Sequence, residues 1–244
     1  MKITAIEYFR LDMPLAMPYT IAYETVAKAT NIILRIDTDK GISGWGCASP
    51  DKEVTGETPE DVIRNIEKVI VGLLKRESPF QLARTMHLLE QNIPGAASTL
   101  AMVDMALHDL LARKAKLPLY QLLGGFRHEV ETSITIGILP LAETIDQARY
   151  YLKKKFSIIK LKGGLNLNGD IEKIIKLREK LGNEFLLRFD ANQGYSPEES
   201  IEFLAKTQSL GVEIFEQPTS PKKEDRLEVL AGDADVPVMA DESL

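Results

Sequence analysis

A chain of 244 residues, 44% hydrophobic and 27% charged, is long enough to bury a sizeable core in one large or two ordinary domains. Its formal net charge of -6 and the lack of any basic amphipathic stretch exclude an electrostatic footprint for nucleic acid or a membrane surface, and leave a small molecule as the expected partner. One cysteine, Cys47, excludes an intrachain disulfide framework and a thiolate metal cluster, and makes the reducing cytoplasm the expected compartment.

The opening segment MKITAIEYFRLDMPL has one lysine and no apolar core of the secretory kind, and no apolar run is long enough to cross a bilayer. Ile3, Ala5, Tyr8 and Phe9 form an early apolar segment. The stretch MPYTIAYETV shows no period and reads as a loop that could serve as a lid. In NIILRIDTDKGISGWG, Ile32, Leu34 and Ile36 alternate, TDKG turns, and the chain returns through Ile42 and Trp45, which predicts a hairpin. The glycines of GISGWG only faintly resemble a nucleotide loop, because no helix follows them. Helical periodicity starts near Thr58, which can cap, with Pro59 in the first turn. A second helix is predicted from about Phe80 to Glu90. A third follows Pro94-Gly95, with Val103, Leu107, Leu110 and Leu111 on one face, and stops before Pro118.

The character changes near Phe126, which divides the chain into an α+β region over residues 1–125 and a repeating region over 126–244. In the second, TSITIGIL, SIIKLKGG, FLLRFDANQ, VEIFEQP and VPVMADES alternate with charged helical segments near Glu143–Lys154, Gly169–Leu181, Pro197–Leu210 and Lys222–Ala231. Strand-helix alternation with apolar, two-sided strands is the pattern of a parallel sheet. Lys162, Asp190, Glu216 and Asp241 each end an apolar run and are separated by 28, 26 and 25 residues. One βα unit takes roughly 30 residues, so these polar ends recur once per strand on one rim. In a βα barrel that rim is where active sites form.

Three carboxylates converging from Asp190, Glu216 and Asp241 would need a cation, and an all-oxygen set suits a hard divalent ion, magnesium before zinc. Lys160 and Lys162 alternate with Leu161 and so share a strand face. Neighbouring ammonium groups depress each other's pKa, which would prepare Lys162 as a general base. A metal on a substrate carboxylate beside such a lysine is equipment for removing the proton next to that carboxylate, giving an enolate held by the metal and Lys160.

KLKGG, FDANQGY, FEQP and ADES, in this order and spacing, resemble the enolase superfamily, muconate-lactonising subgroup, and MVDMALHDLLARKAKLPLYQLLGG resembles that family's N-terminal domain. The likeness covers essentially the whole chain, and the DANQGY form is most similar to the dipeptide epimerases. It implies an α/β protein with an N-terminal α+β capping domain over 1–125 and a TIM-type (β/α) barrel over 126–244. It further implies Mg2+ on Asp190, Glu216 and Asp241, acid/base chemistry at Lys162, and substrate contacts from Lys160 and Thr135. It also implies a loop from Thr20 to Glu24 that closes over the site, and a homo-oligomer. The family carries a second lysine on the sixth barrel strand and acidic groups for the dipeptide ammonium on later strands. Only five strands are legible here, so the expectation is a portion of a longer protein.

Each residue also has a plainer reading. Asp190 before Ala191-Asn192 could be a helix cap, and the lysines could be a solvated strand end. His87, His108 and His128 lack ligand spacing, Cys47 has no basic neighbour, and KGGLNLNGD reads as a strand-to-helix connection rather than a phosphate loop. Three hypotheses follow: dipeptide epimerisation by 1,1-proton transfer; a succinylbenzoate synthase or muconate-lactonising reaction using the same half-reaction; and a partial barrel that binds metal or another chain without turnover.

Overall fold

The computed structural model describes residues 1–20, 25–221 and 225–243. The chain separates into two compact units, one of Met1–Leu15 with Lys28–His128 and the other of Ala16–Ala27 with Glu129–Leu244.

The first unit is built on a three-stranded sheet in the order β1 (Ile3–Thr20), β2 (Thr25–Thr38), β3 (Ser43–Ala48). β2 and β3 pair antiparallel with Leu34 opposite Gly46 and Ile36 opposite Gly44, the expected hairpin. Ile32, Leu34 and Ile36 are fully buried. They pack with Met102, Val103, Ala106, Leu107 and Leu110 of the long helix Ala97–Ala115. Both hairpin glycines are explained by this contact: a Cβ at Gly44 would lie 2.3 Å from the Ala106 carbonyl oxygen, and one at Gly46 1.9 Å from that of Met102. The glycines let a strand lie directly on helix backbone.

The loop expected over MPYTIAYETV is a strand arm instead: β1 continues through Thr20 and β2 begins at Thr25, while residues 21–24 of the expected covering loop lie outside the described residues. The aperiodic sequence reflects exposure of much of this arm, so no core face imposes alternation. Its prolines, Pro14 and Pro18, sit on the sheet's edge strand, where a missing N–H is tolerated.

Helix α1 (Pro59–Asn65) opens with a reciprocal capping box between Thr58 and Asp61 and Pro59 in its first turn. It continues through a π turn (Ile66–Ile70) into α2 (Val71–Leu74). α3 (Leu82–Asn92) and α4 (Ala97–Ala115) follow, then the short α5 (Leu119–Leu122). The residue before α4, Ala96, has no capping side chain, and Glu57 takes that role from a distant loop. Its carboxylate, 5% exposed, accepts the Ser98 N–H at 2.7 Å, the Thr99 N–H at 3.1 Å and the Thr99 hydroxyl. The helix N-terminus supplies the positive end of its dipole to this buried anion.

The second unit holds five parallel strands in sequence order: β4 (Ser133–Ile136), β5 (Ile158–Lys162), β6 (Leu186–Asp190), β7 (Val212–Glu216) and β8 (Val238–Met239). They alternate with α6 (Leu141–Lys153), α7 (Leu167–Leu181), α8 (Pro197–Thr207) and α9 (Asp225–Asp233). The α/β class and barrel-type strand order expected from the sequence are thus present, as a five-stranded arc of such a barrel. Leu187 and Phe189 on β6 and Phe215 on β7 are fully buried, with Phe203 of α8 at 4.5 Å from the Phe189 ring centroid and 4.7 Å from that of Phe215. Strand alternation then turns Arg188 and Asp190 to the opposite face of β6.

Two outcomes test this account. Glu57→Gln removes the negative charge from the helix N-terminus, while its amide oxygen can still accept the Ser98 and Thr99 N–H groups, and is expected to destabilise the protein by about 1 kcal/mol in denaturant titration. The Asp61 carboxyl is held below its ordinary range by the Thr58 N–H, then the Thr58 hydroxyl and Arg64. Its contribution is present above the ordinary aspartate pKa and is lost as pH falls through the depressed folded value. Asp61→Asn should therefore lower Tm at neutral pH and leave a shallower acid dependence.

Candidate active site

Register alone aligns the chemistry. Thr135 pairs with Lys160, Lys162 with Asp190, and Asp190 with Glu216 across β4 to β7. The side chains meet accordingly. Asp190 Oδ2 accepts from Lys162 Nζ at 2.6 Å and lies 2.9 Å from Lys160 Nζ, which donates to Glu216 Oε1 at 2.6 Å. Asp190 is fully buried and Glu216 nearly so, while the lysine side chains retain 18% and 13% exposure at Lys160 and Lys162. The second Asp190 oxygen accepts the Asn192 N–H at 2.8 Å. It caps no helix, because Ser196 caps α8.

Burial pushes the Asp190 carboxyl up, but Lys162 and Lys160 outweigh it and leave its pKa below the ordinary value. Glu216 goes the other way: burial and the Asp190 charge raise it against the Lys160 hydrogen bond. Lys160 does not follow the depression expected from its neighbouring ammonium. Burial pulls its pKa down, yet the Glu216 hydrogen bond and the Asp190 charge raise it above normal. The neighbouring ammonium is visible in the sequence, whereas the two carboxylates within 2.9 Å of Lys160 Nζ are brought there by strand register.

The loops behind these strand ends interlock. A Cβ at Gly163 would stand 2.2 Å from the Phe189 ring, one at Gly164 2.0 Å from the Ala191 carbonyl oxygen, and one at Gly194 2.2 Å from that of Gly164. KGGLNLNGD is therefore a tight connection, closed by Asn166 as the α7 cap. Buried Asp170 accepts from the Gly164 N–H and the Tyr195 hydroxyl, each at 2.9 Å, tying the loop after Lys162 to the loop after Asp190. Burial and the Asp170 charge push the Tyr195 phenol upward, so it stays a donor. Asp170 and Tyr195 were not singled out in the sequence; only their separation by one βα unit hints that they meet.

A cavity of about 420 Å³, lined among others by Pro18, Thr135, Tyr151, Lys160 and Lys162, opens beside the lysines. Its size and mixed lining suit a small molecule. Thr135 is exposed to it, whereas burial raises the Cys47 thiol, the opposite of an activated nucleophile.

Asp241 lies apart from the acid pair. Glu216 pairs with Met239, so Asp241 follows two residues beyond the row and is exposed. Among the described residues, no three His, Cys, Asp or Glu side chains close into a finished ligand set. The donor chemistry nevertheless fits a hard cation. The buried side-chain atoms lacking partners among the described residues are Asn192 Oδ1, Thr219 Oγ1 and Glu242 Oε2, which fall in the successive loops after β6, β7 and β8. Two buried carboxylates with further oxygen donors on the loops that follow their strands are the hard donor type that Mg2+ selects.

A parallel strand-helix arc with paired lysines facing carboxylates at its carboxyl rim defines an enolase-type protein. Residues 4–124 match the Mandelate racemase / muconate lactonizing enzyme N-terminal domain, and residues 143–244 match the Enolase C-terminal domain-like family. The chain belongs to the mandelate racemase / muconate lactonizing enzyme family of the enolase superfamily. It is 43% identical over 221 residues to the L-Lys-D/L-Arg epimerase of Desulforapulum autotrophicum, covering 89% of this chain and 61% of that protein. It is 36% identical to the L-Ala-D/L-Glu epimerase of Bacillus subtilis, whose substrate-liganded structure superposes with a TM-score of 0.96 over 100% of this chain and 69% of that one. The dipeptide epimerase from Enterococcus faecalis V583, complexed with Mg and L-Leu-L-Tyr, gives 31% identity and a TM-score of 0.96 over 100% of this chain and 69% of that one. The chain thus spans 61% to 68% of the length of the two curated relatives described.

The buried network makes a graded prediction. Asp190→Asn leaves Lys162 without its carboxylate partner and should cost about 3 kcal/mol in the metal-free protein. Glu216→Gln, which removes one charge from beside a lysine that keeps Asp190, should cost clearly less by the same denaturant titration.

Proposed function

We propose that the full-length protein is a magnesium-dependent dipeptide epimerase that inverts an α carbon by 1,1-proton transfer. The observation that carries this reading is the alignment of Lys160 and Lys162 with Asp190 and Glu216 on one rim, beside a small-molecule cavity. Its support from relatives is that the matched proteins named above are dipeptide epimerases.

Asp190 and Glu216, with Asp241 from the next strand end, are the residues that would hold Mg2+. When bound, the ion withdraws charge from a substrate carboxylate and acidifies the adjacent C–H. Lys162 takes or returns the proton at that carbon through Nζ. Lys160 places its ammonium where negative charge develops on the substrate carboxylate oxygens, and Thr135, its register partner, contacts substrate in the same cavity. A second proton-transfer group on the opposite face completes the inversion. Interlocked glycine loops hold the lysines to the geometry that proton transfer needs.

Among the described residues no helix is long and apolar enough to cross a membrane. The cytoplasm is the compartment we assign to it, on the strength of its single cysteine.

The test is incubation of the full-length protein with Mg2+ and a broad dipeptide set in heavy water. Deuterium is expected at one α carbon, appearing in both configurations, and no incorporation is expected when a chelator is present from the start. Lys162→Ala should reduce exchange from one stereoisomer by about 100-fold or more. No deuterium at any α carbon across the set overturns the reading.

A further inference from the structure

The acid assigned as third metal ligand has nothing of its own to place it. Asp241 is exposed, and among the described residues its carboxylate makes no hydrogen bond or ion pair. Its backbone is fixed by the neighbouring loop. Gln217, immediately after Glu216, is fully buried. Its Oε1 accepts the Asp241 N–H at 2.8 Å and the Ser243 N–H at 3.2 Å. Its Nε2 donates to the Ser243 hydroxyl at 2.8 Å and to the Thr219 carbonyl at 2.9 Å. A carboxamide has two N–H donors and two lone pairs on its oxygen, so every one of its bonding positions is used.

The main chain of the same residue completes the junction. The Gln217 N–H donates to the Met239 carbonyl at 2.8 Å, and the Gln217 carbonyl accepts from the Gln193 N–H at 2.8 Å. One residue thereby joins the three loops that follow Asp190, Glu216 and β8. Its φ of +33° is one that side-chain-bearing residues rarely adopt and that persists where surrounding bonds over-determine it. Asp190 and Glu216 are held independently, by sheet register and by the lysines, so the amide's burden falls on the turn at 241–243.

We propose that Gln217 is the positioning residue for metal binding, setting Asp241 by clamping its turn to the loop of Glu216. This rests on the reading of Asp241 as a ligand. The side-chain type follows from the geometry: Glu lacks the two donors, Met lacks donors and acceptor, and Asn falls one methylene short.

The experiment is titration of Mn2+, a paramagnetic stand-in for Mg2+, into the full-length protein, read by electron paramagnetic resonance well below each variant's Tm. Gln217→Met should weaken binding by about tenfold or more, and Asp241→Asn should weaken it as well. The double variant should bind no more weakly than the weaker single variant, because both changes remove the same ligand. Ser243→Ala, which removes one acceptor and keeps the backbone contacts, should weaken binding about twofold, and it carries the test if Gln217→Met does not fold. A lower Tm with unchanged Mn2+ affinity in both Gln217→Met and Ser243→Ala, or additive losses in the double variant, overturns the proposal while leaving the ligand assignment standing. Unchanged affinity in Asp241→Asn removes the ligand assignment itself, and the proposal with it.

Discussion

Asp190 bears its charge at the end of β6 with no exposure to solvent, and its surroundings are arranged to compensate for that charge. Moving a carboxylate out of water costs several kcal/mol, and only close, well-directed partners offset it. Lys162 and Lys160 reach one oxygen and the Asn192 N–H reaches the other. Glu216 then shares Lys160, which leaves two acids and two bases locked in a compact network. Such a network demands that three strands keep one register, because a slip of one residue would send Lys162, Asp190 or Glu216 to the other face of the sheet.

What holds that register lies behind the sheet. Phe189, Phe203 and Phe215 contact one another with Tyr195 beside them, so the strands bearing Asp190 and Glu216 share one aromatic cluster with α8. Tyr195 spans both layers: its ring joins the cluster and its hydroxyl reaches Asp170, which holds the loop of Gly164. Packing and polar geometry are therefore coupled through single residues: the glycines at 164 and 194 are needed because the loops approach at backbone distance, and Gly163 because it lies against the Phe189 ring and the Asp170 carboxylate.

The two ends of the strands divide the labour. Near the starts of β6 and β7, Arg178 donates to the carbonyls of Leu210, Gly211 and Phe185 and lies over the Phe185 ring at 4.6 Å. Its charge is met by carbonyl dipoles and an aromatic face, and burial lowers its pKa. It ties the end of α7 to the starts of two strands. The carboxyl ends carry Lys162, Asp190 and Glu216, the left-handed Asn192, Gln193 and Gln217, and the orphaned oxygens. Strain and unmet polar groups concentrated at one rim are the expected mark of a site built for a ligand rather than for stability.

The periodic elements were legible in the sequence because they answer to local physics. Ile32, Leu34 and Ile36 alternate, Thr58 and Pro59 start a helix, and one polar residue per βα unit marks a common rim. Lys160 and Lys162 share a face through strand geometry alone. Long-range approach decided the rest. The arm through Thr20 and Thr25 has no core face to impress a period on it, so it read as loop. The neighbour of Lys160 in sequence is Lys162, whereas the pKa of Lys160 answers to its burial and to two carboxylates 30 and 56 residues away. Gly44, Gly46 and Gly164 are places where backbone meets backbone, which no local pattern announces. Gln217, between a strand-end acid and a proline, carried no periodic or chemical signal. Its part in the site exists only once β7 and β8 lie side by side, because hydrogen-bond partners 24 and 26 residues apart are specified by the fold and not by spacing.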